Sequence, residues 1–277
     1  MKFRTIFLLF NIVLVVSFLV IYLMPLFIIG WDYTKLFWAN NWYLPILFFL
    51  IIAGLNTYFG LNWRLFVLLE REDWNGLVAY LEEQIFVKER IHRQSIRILV
   101  NGYLVNSNAE GVSKLEKLVR ERKPALLPSL ALLFGIPHLL KNDAVEMEQY
   151  FGEFAGKRGV SQPLWIQWNH AFSLMLGKRR EEARVELLRV AKEAREAVLL
   201  LLALYLLDAF SDGDAEIEQT LAAGKASLKK RFTPSLWQKE LERAKENVEV
   251  VILSKLVQEA TEWLFSFGTV GDPKVVH

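Results

Sequence analysis

Histidine is the residue type best suited to acid–base or metal chemistry, and the chain has four: His92, His138, His170 and His277. They form no H-x3-H pair, and neither H-E-x-x-H nor G-x-S-x-G occurs. Cysteine is absent, which excludes thiol catalysis, Cys-ligated zinc and a disulfide framework. Residues 152–158, GEFAGKR, have the glycines and basic pair of a phosphate loop, but only three residues separate the glycines. Arg158 also stands where Ser or Thr must reach magnesium. The stretch reads instead as a helix end closed by Gly156 and Gly159. Glu181 with Glu182, and Glu146 with Glu148, read as solvated helix-face charges. The expectation is a protein that is not an enzyme and holds no metal or cofactor.

Binding chemistry is better represented. Arg93, Arg97 and Asn101 recur at i, i+4 and i+8, opposite an apolar stripe of Ile96, Leu99, Val100 and Tyr103. Forked Arg contacts there suit a carboxylate or an acidic segment of a partner, with a plain solvated face as the competing reading. Lys88, Arg90, Arg93 and Arg97 stand against Glu89, so the same side chains suit anionic lipid, at about 1 kcal/mol per basic residue.

The elements that position these groups start in the membrane. Thr5–Trp31 and Leu36–Trp63 hold no charged side chain, and each exceeds the roughly 20 residues a helix needs to cross a bilayer. We place spans at about 6–30 and 43–63. The first run is too long for the apolar region of a signal peptide and reads as an uncleaved anchor. Lys2 and Arg4 precede the first span, Arg64 and Arg71 follow the second, and the loop between holds only Lys35 as a basic residue, so both ends are expected in the cytoplasm. Trp31, Tyr33, Trp38, Trp42 and Tyr43 supply an aromatic belt at the outer interface, and Trp63 marks the inner one. Ala53, Thr57 and Gly60 form a small-residue face for helix packing, either within the hairpin or against another membrane protein. Asn11, Asn56 and Asn62 add amides unsuited to lipid tails.

Beyond the hairpin the charge changes. Residues 1–69 carry four basic side chains against one acid, +3; the remainder has 29 basic against 30 acidic, −1. That balance disfavours general nucleic-acid binding. The pattern becomes one of amphipathic helices broken by short polar turns, with no alternating strand run, so the region is all-α. Helices are expected at about 72–86, 91–105, 109–122, 124–140, 144–155, 162–176, 180–196, 197–210 and 215–231, with one long final helix over 234–265. Residues 197–207 are too short to span a bilayer and read as a buried helix. Residues 124–140 also read as buried, with a re-entrant segment as the alternative.

Helix, short turn, helix, at a period in the thirties, marks a row of helical hairpins. Trp165, Trp168, Phe172, Gly177 and Ala183 resemble the first helix, turn and second helix of a tetratricopeptide repeat. Asp73, Trp74, Leu77, Tyr80 and Leu81 resemble its second helix, and Pro124 and Pro163 its closing proline. The region resembles a degenerate array of such repeats. The expected chain is a transmembrane helical hairpin (1–69), read from its apolar runs, followed by what the resemblance implies, a right-handed α-solenoid of helix-turn-helix repeats (70–232), then a C-terminal capping helix (233–266) and a flexible tail (267–277). It further implies that the first helix of each hairpin lines a concave groove, which makes Arg93, Arg97 and Asn101, and two hairpins later Asn169, His170 and Ser173, groove candidates. In layout the chain resembles membrane-bound repeat proteins of bacterial inner membranes. The functional expectation is an adaptor that binds a protein or peptide partner, contacts lipid and takes no nucleic acid. The alternative is a subunit of a membrane complex whose hairpin is the working surface.

Overall fold

The structure, a computed structural model, describes residues 3–28 and 30–265. Lys2, used above to orient the first span, His277 and the expected tail 267–277 lie outside the described residues. Among those residues the fold is all-α, with no strand. The chain forms two compact units. One holds residues up to Arg90 together with Asn101–Ser107; the other holds Ile91–Val100 and the residues from Asn108 onward.

The first unit begins with α1 (Phe3–Ile28), α2 (Trp31–Asn40) and α3 (Tyr43–Leu61). α1 and α3 are long and apolar enough to cross a membrane, and no part of either is buried within the protein. They meet through large side chains: Phe18 stacks on Phe48 at 3.8 Å, and Phe7 approaches Phe59 at 5.1 Å. Between them, Asn56 Nδ2 donates to Asn11 Oδ1 at 2.9 Å. Of the residues expected to form an aromatic belt, Trp31, Tyr33 and Trp38 fold into a helix, α2, while Trp42 lies in the turn after it and Tyr43 opens α3. Trp38 stacks on Tyr22 and donates from Nε1 to the Tyr22 carbonyl at 3.1 Å. α3 stops at Asn62, and a short amphipathic helix, α4 (Trp63–Glu70), follows. α5 (Trp74–Glu82) opens on Asp73, whose side chain accepts from the Gly76 amide, and it runs into a π-helical turn, Glu83–Val87. The last turns of α6 (Arg93–Val105) pack on α5, with Tyr103 donating to Glu82 at 2.7 Å.

The second unit continues with α7 (Ala109–Arg122), α8 (Leu127–Lys141), α9 (Ala144–Phe154), α10 (Pro163–Leu176), α11 (Arg180–Glu193), α12 (Ala197–Leu207) and α13 (Ala215–Arg231). Each packs on the next in the chain, as short connections between helices require. Asn108, Asp143 and Asp214 cap α7, α9 and α13 through their side chains, a contribution of about 1 kcal/mol each. Pro124–Lys141 also meets the length and hydropathy requirement for a membrane span. Half of it is buried within the unit, as the buried-helix reading requires. Gly135 permits that fit, since a Cβ there would lie 2.6 Å from the Phe151 ring.

One boundary differs from expectation. In place of a single final helix there are three, α14 (Pro234–Ala244), α15 (Val248–Ile252) and α16 (Ser254–Phe265). The chain leaves helical geometry at Asn247, and the bend turns Val250 and Leu253 into the core, 3% and 9% exposed. Burial decides the break, because no glycine or proline marks it.

Candidate functional site

α6 presents the two faces expected of it. Ile96, Leu99, Val100 and Tyr103 are buried, while Arg93, Arg97 and Asn101 are exposed on the other side. Arg93 Nη2 donates to Ser161 Oγ at 3.2 Å, and Arg97 has no acidic partner among the described residues. The arrangement leaves a guanidinium free to bind an incoming carboxylate.

The second trio lies elsewhere. Asn169 and Ser173 are fully buried, so they are not groove residues. Asn169 Nδ2 donates to the Trp165 carbonyl at 2.9 Å, and Ser173 Oγ to the His170 carbonyl at 2.6 Å. The physical reason is packing: α10 is in contact with α8, α9, α11 and α12, which leaves little of its circumference open. Of the three only His170 reaches the surface, and its Nδ1 sits 2.9 Å from both carboxylate oxygens of Glu186.

α12 is covered by the end of the second unit. α16 packs along α12, and α15 touches α8. Trp263 Nε1 donates to Asp208 Oδ2 at 2.9 Å, its ring meets Tyr205 edge-on at 5.7 Å, and Lys225 Nζ stands 3.9 Å over it. Asn247 Nδ2 donates to Glu196 Oε1 at 3.4 Å, and Trp165 Nε1 to Glu196 Oε2 at 2.8 Å. This covering explains why α12 reads AVLLLLALYLL, apolar all round: α11 and α13 bury the rest of its circumference. Gly224 lets α13 close on it, since a Cβ there would fall 2.5 Å from Leu204.

Sequence reasoning passed over Glu249, which is 7% exposed in α15. A lone Glu in ENVEVVIL gives no signal of burial. Desolvation pushes its carboxyl above the usual carboxylate range and Glu196 adds to the rise, partly offset by a hydrogen bond from its own backbone amide. A carboxyl raised in the folded state contributes stability below its unfolded pKa and loses it as pH rises through the folded one. The protein should therefore gain stability on mild acidification from neutral pH. Glu249→Gln should raise the neutral-pH melting temperature and flatten that part of the pH profile, read by circular dichroism on the full chain in detergent. An unaltered profile would remove Glu249 as its source.

On α3, Ala53, Thr57 and Gly60 are all exposed, and no atom lies within 4 Å of a Cβ built on Gly60. The asparagine and aromatic contacts with α1 do not use them. Among the described residues no group of three His, Asp or Glu is placed to hold a metal.

A protein-family model described as "Uncharacterised Treponema protein" matches residues 111–266, more than half of the chain. The chain belongs to that family. The matched span runs from α7 to the end of α16, so the covering segment α15–α16 lies inside the family's region. A protein of Treponema pallidum (strain Nichols), called "Uncharacterized protein", is 28% identical over 258 residues, covering 89% of this chain and 81% of its own length. That likeness extends beyond the family region into the part with the two long apolar helices, because residues 111–277 alone are well short of 89% of the chain. No solved structure matches this Treponema-family chain.

Proposed function

We propose that the protein is a non-enzymatic adaptor of the bacterial inner membrane. α1 and α3 anchor it, and its helical pairs form a tetratricopeptide-like right-handed solenoid in the cytoplasm that holds a protein or peptide partner. The observation that supports this reading most is α6. Its outer face carries exposed Arg93 and Arg97, with Arg97 unpaired among the described residues, whereas α8 and α12 are covered by α15 and α16. The partner chemistry that fits is an acidic peptide segment taken by guanidinium forks.

Arg93→Glu with Arg97→Glu should abolish in-cell cross-linking to that acidic partner. Helicity and melting temperature should stay nearly unchanged, since exposed charge changes usually alter stability by within about 0.5 kcal/mol. Full cross-linking by the double variant would refute the α6 site.

A second reading rests on the exposure of Ala53, Thr57 and Gly60: the hairpin is the working surface of a subunit in a larger membrane complex. Ala53→Leu with Gly60→Leu tests it in the same assay. Loss of cross-linking with the α3 pair, and not with the α6 pair, decides for this second reading.

A further inference from the structure

Two helices of the second unit meet in a tight turn that shapes a cleft. α13 ends at Arg231, Phe232 and Thr233 make the link, and α14 opens on Pro234, with the Thr233 hydroxyl accepting from the Leu236 amide at 3.4 Å. Leu236, Lys239, Glu240 and Arg243 fall at i, i+3, i+4 and i+7, so they share one face of α14. That face and the end of α13 line a cleft of about 390 Å³.

Part of the lining is apolar and held in place. The Phe232 ring meets the fully buried Trp237 edge-on at 5.4 Å, and Trp237 Nε1 donates to Thr261 Oγ1 at 3.1 Å, which ties the ring to α16. The Arg231 guanidinium stands 5.1 Å from the centre of the Phe232 ring. Leu236 lines the same cleft and is 47% exposed, so hydrocarbon is left facing water there.

The charges around the cleft do not cancel. Arg231, Lys239 and Arg243 are exposed, and none has an acidic partner at ion-pair distance among the described residues. The neighbouring Glu242 is taken by Lys245, and the half-buried Glu240 in the lining is itself unpaired among those residues. Three cations against one acid leave the cleft at +2. Lys239 and Arg243, like charges four residues apart, repel across one turn of helix.

We propose that this cleft binds an organic anion, a phosphate or carboxylate head joined to a small apolar body. Two independent observations meet here: unpaired cations converge on one cavity, and the rest of its wall is hydrocarbon. Cations alone would serve any anion, whereas Phe232 and the exposed Leu236 select one that carries apolar surface beside its charge. The guanidinium forks of Arg231 and Arg243 suit the oxygens of the head. Ligand pockets run from roughly 300 to 1,000 Å³, so this cleft takes a body no larger than a ring or a short chain. A soluble metabolite and a lipid headgroup share this chemistry, and the test separates them. None of these residues belongs to the α6 face, so the two proposals stand or fall separately.

Phenyl phosphate is the probe, titrated calorimetrically into the full chain in phosphatidylcholine nanodiscs with empty discs subtracted. It should bind about tenfold more tightly than inorganic phosphate, the gain expected from taking roughly 60 Å² of apolar surface out of water. Lys239→Gln with Arg243→Gln should remove measurable binding of both anions. Leu236→Ser should remove the preference for the phenyl ring and keep inorganic phosphate. The three side chains are exposed, so the circular dichroism melts of both variants should match that of the parent chain. No saturable binding, equal affinity for the two anions, or affinities unaltered in the charge variant would overturn the proposal. Native mass spectrometry of the chain released from discs containing phosphatidylglycerol then separates the sources. Lipid kept by the parent chain and lost by the charge variant marks a headgroup as the ligand; equal retention by both marks a soluble anion.

Discussion

Ending the chain at Asn247 should unfold the second unit, not merely trim it. The lost segment buries Val250, Leu253, Val257 and Leu264, together with Ala260, and α16 covers α12. Burying a Val or Leu side chain is worth about 1.5–3 kcal/mol, so the four large residues contribute about 6–12 kcal/mol as an upper estimate. That equals the whole stability of an ordinary domain, about 5–15 kcal/mol. The expected result is loss of cooperative melting and rapid proteolysis between Asn108 and Asn247, in the same detergent where the full chain melts sharply. A truncated chain with an unchanged melting temperature would mean that α15 and α16 are dispensable, and that the leucine face of α12 is available to a partner.

Trp168→Ala should cost about 3–5 kcal/mol, the usual loss for truncating a buried aromatic residue. Trp168 is fully buried, stacked on Phe172 at 5.3 Å and edge-on to Trp165 at 6.1 Å. Its indole N–H has no hydrogen-bond partner among the described residues, and a buried donor left unpaired costs about 1–3 kcal/mol. Trp168→Phe removes that donor along with part of the volume, so it should cost much less than the alanine variant. Denaturant melts of the two variants check both claims. Equal losses would mean that the indole nitrogen carries no penalty, and a negligible loss for alanine would mean that α10 is not the centre of the unit.

The helices were readable because their signals are local. Asp73, Asn108, Asp143 and Asp214 start helices where cap residues should, and the apolar stripe of α6 matches its buried face. What failed was nonlocal. Asn169 and Ser173 look like surface polar residues in sequence, but α8 and α12 close over α10 and their side chains turn back to its carbonyls. The bend at Asn247 has no breaker residue because it is made by what α15 must bury. The covering of α12 was hinted at by its uniform leucines, which specify burial on all sides without naming the last neighbour.

With α1 and α3 spanning a bilayer, the Asn11–Asn56 hydrogen bond would couple the hairpin to its thickness. α1 has 26 residues and α3 has 19, lengths of about 39 Å and about 28 Å against a hydrocarbon core of about 30 Å. In a bilayer the longer helix must tilt or thicken the lipid around it, while the shorter one fits upright. Sliding one past the other by a turn would relieve the difference, but it would part the two amides: each keeps its bond to a carbonyl of its own helix, while Asn11 Oδ1 and one N–H of Asn56 are left facing hydrocarbon. In such a membrane the pair would oppose slippage, so that a change in thickness is taken up more readily as a change in the angle between α1 and α3.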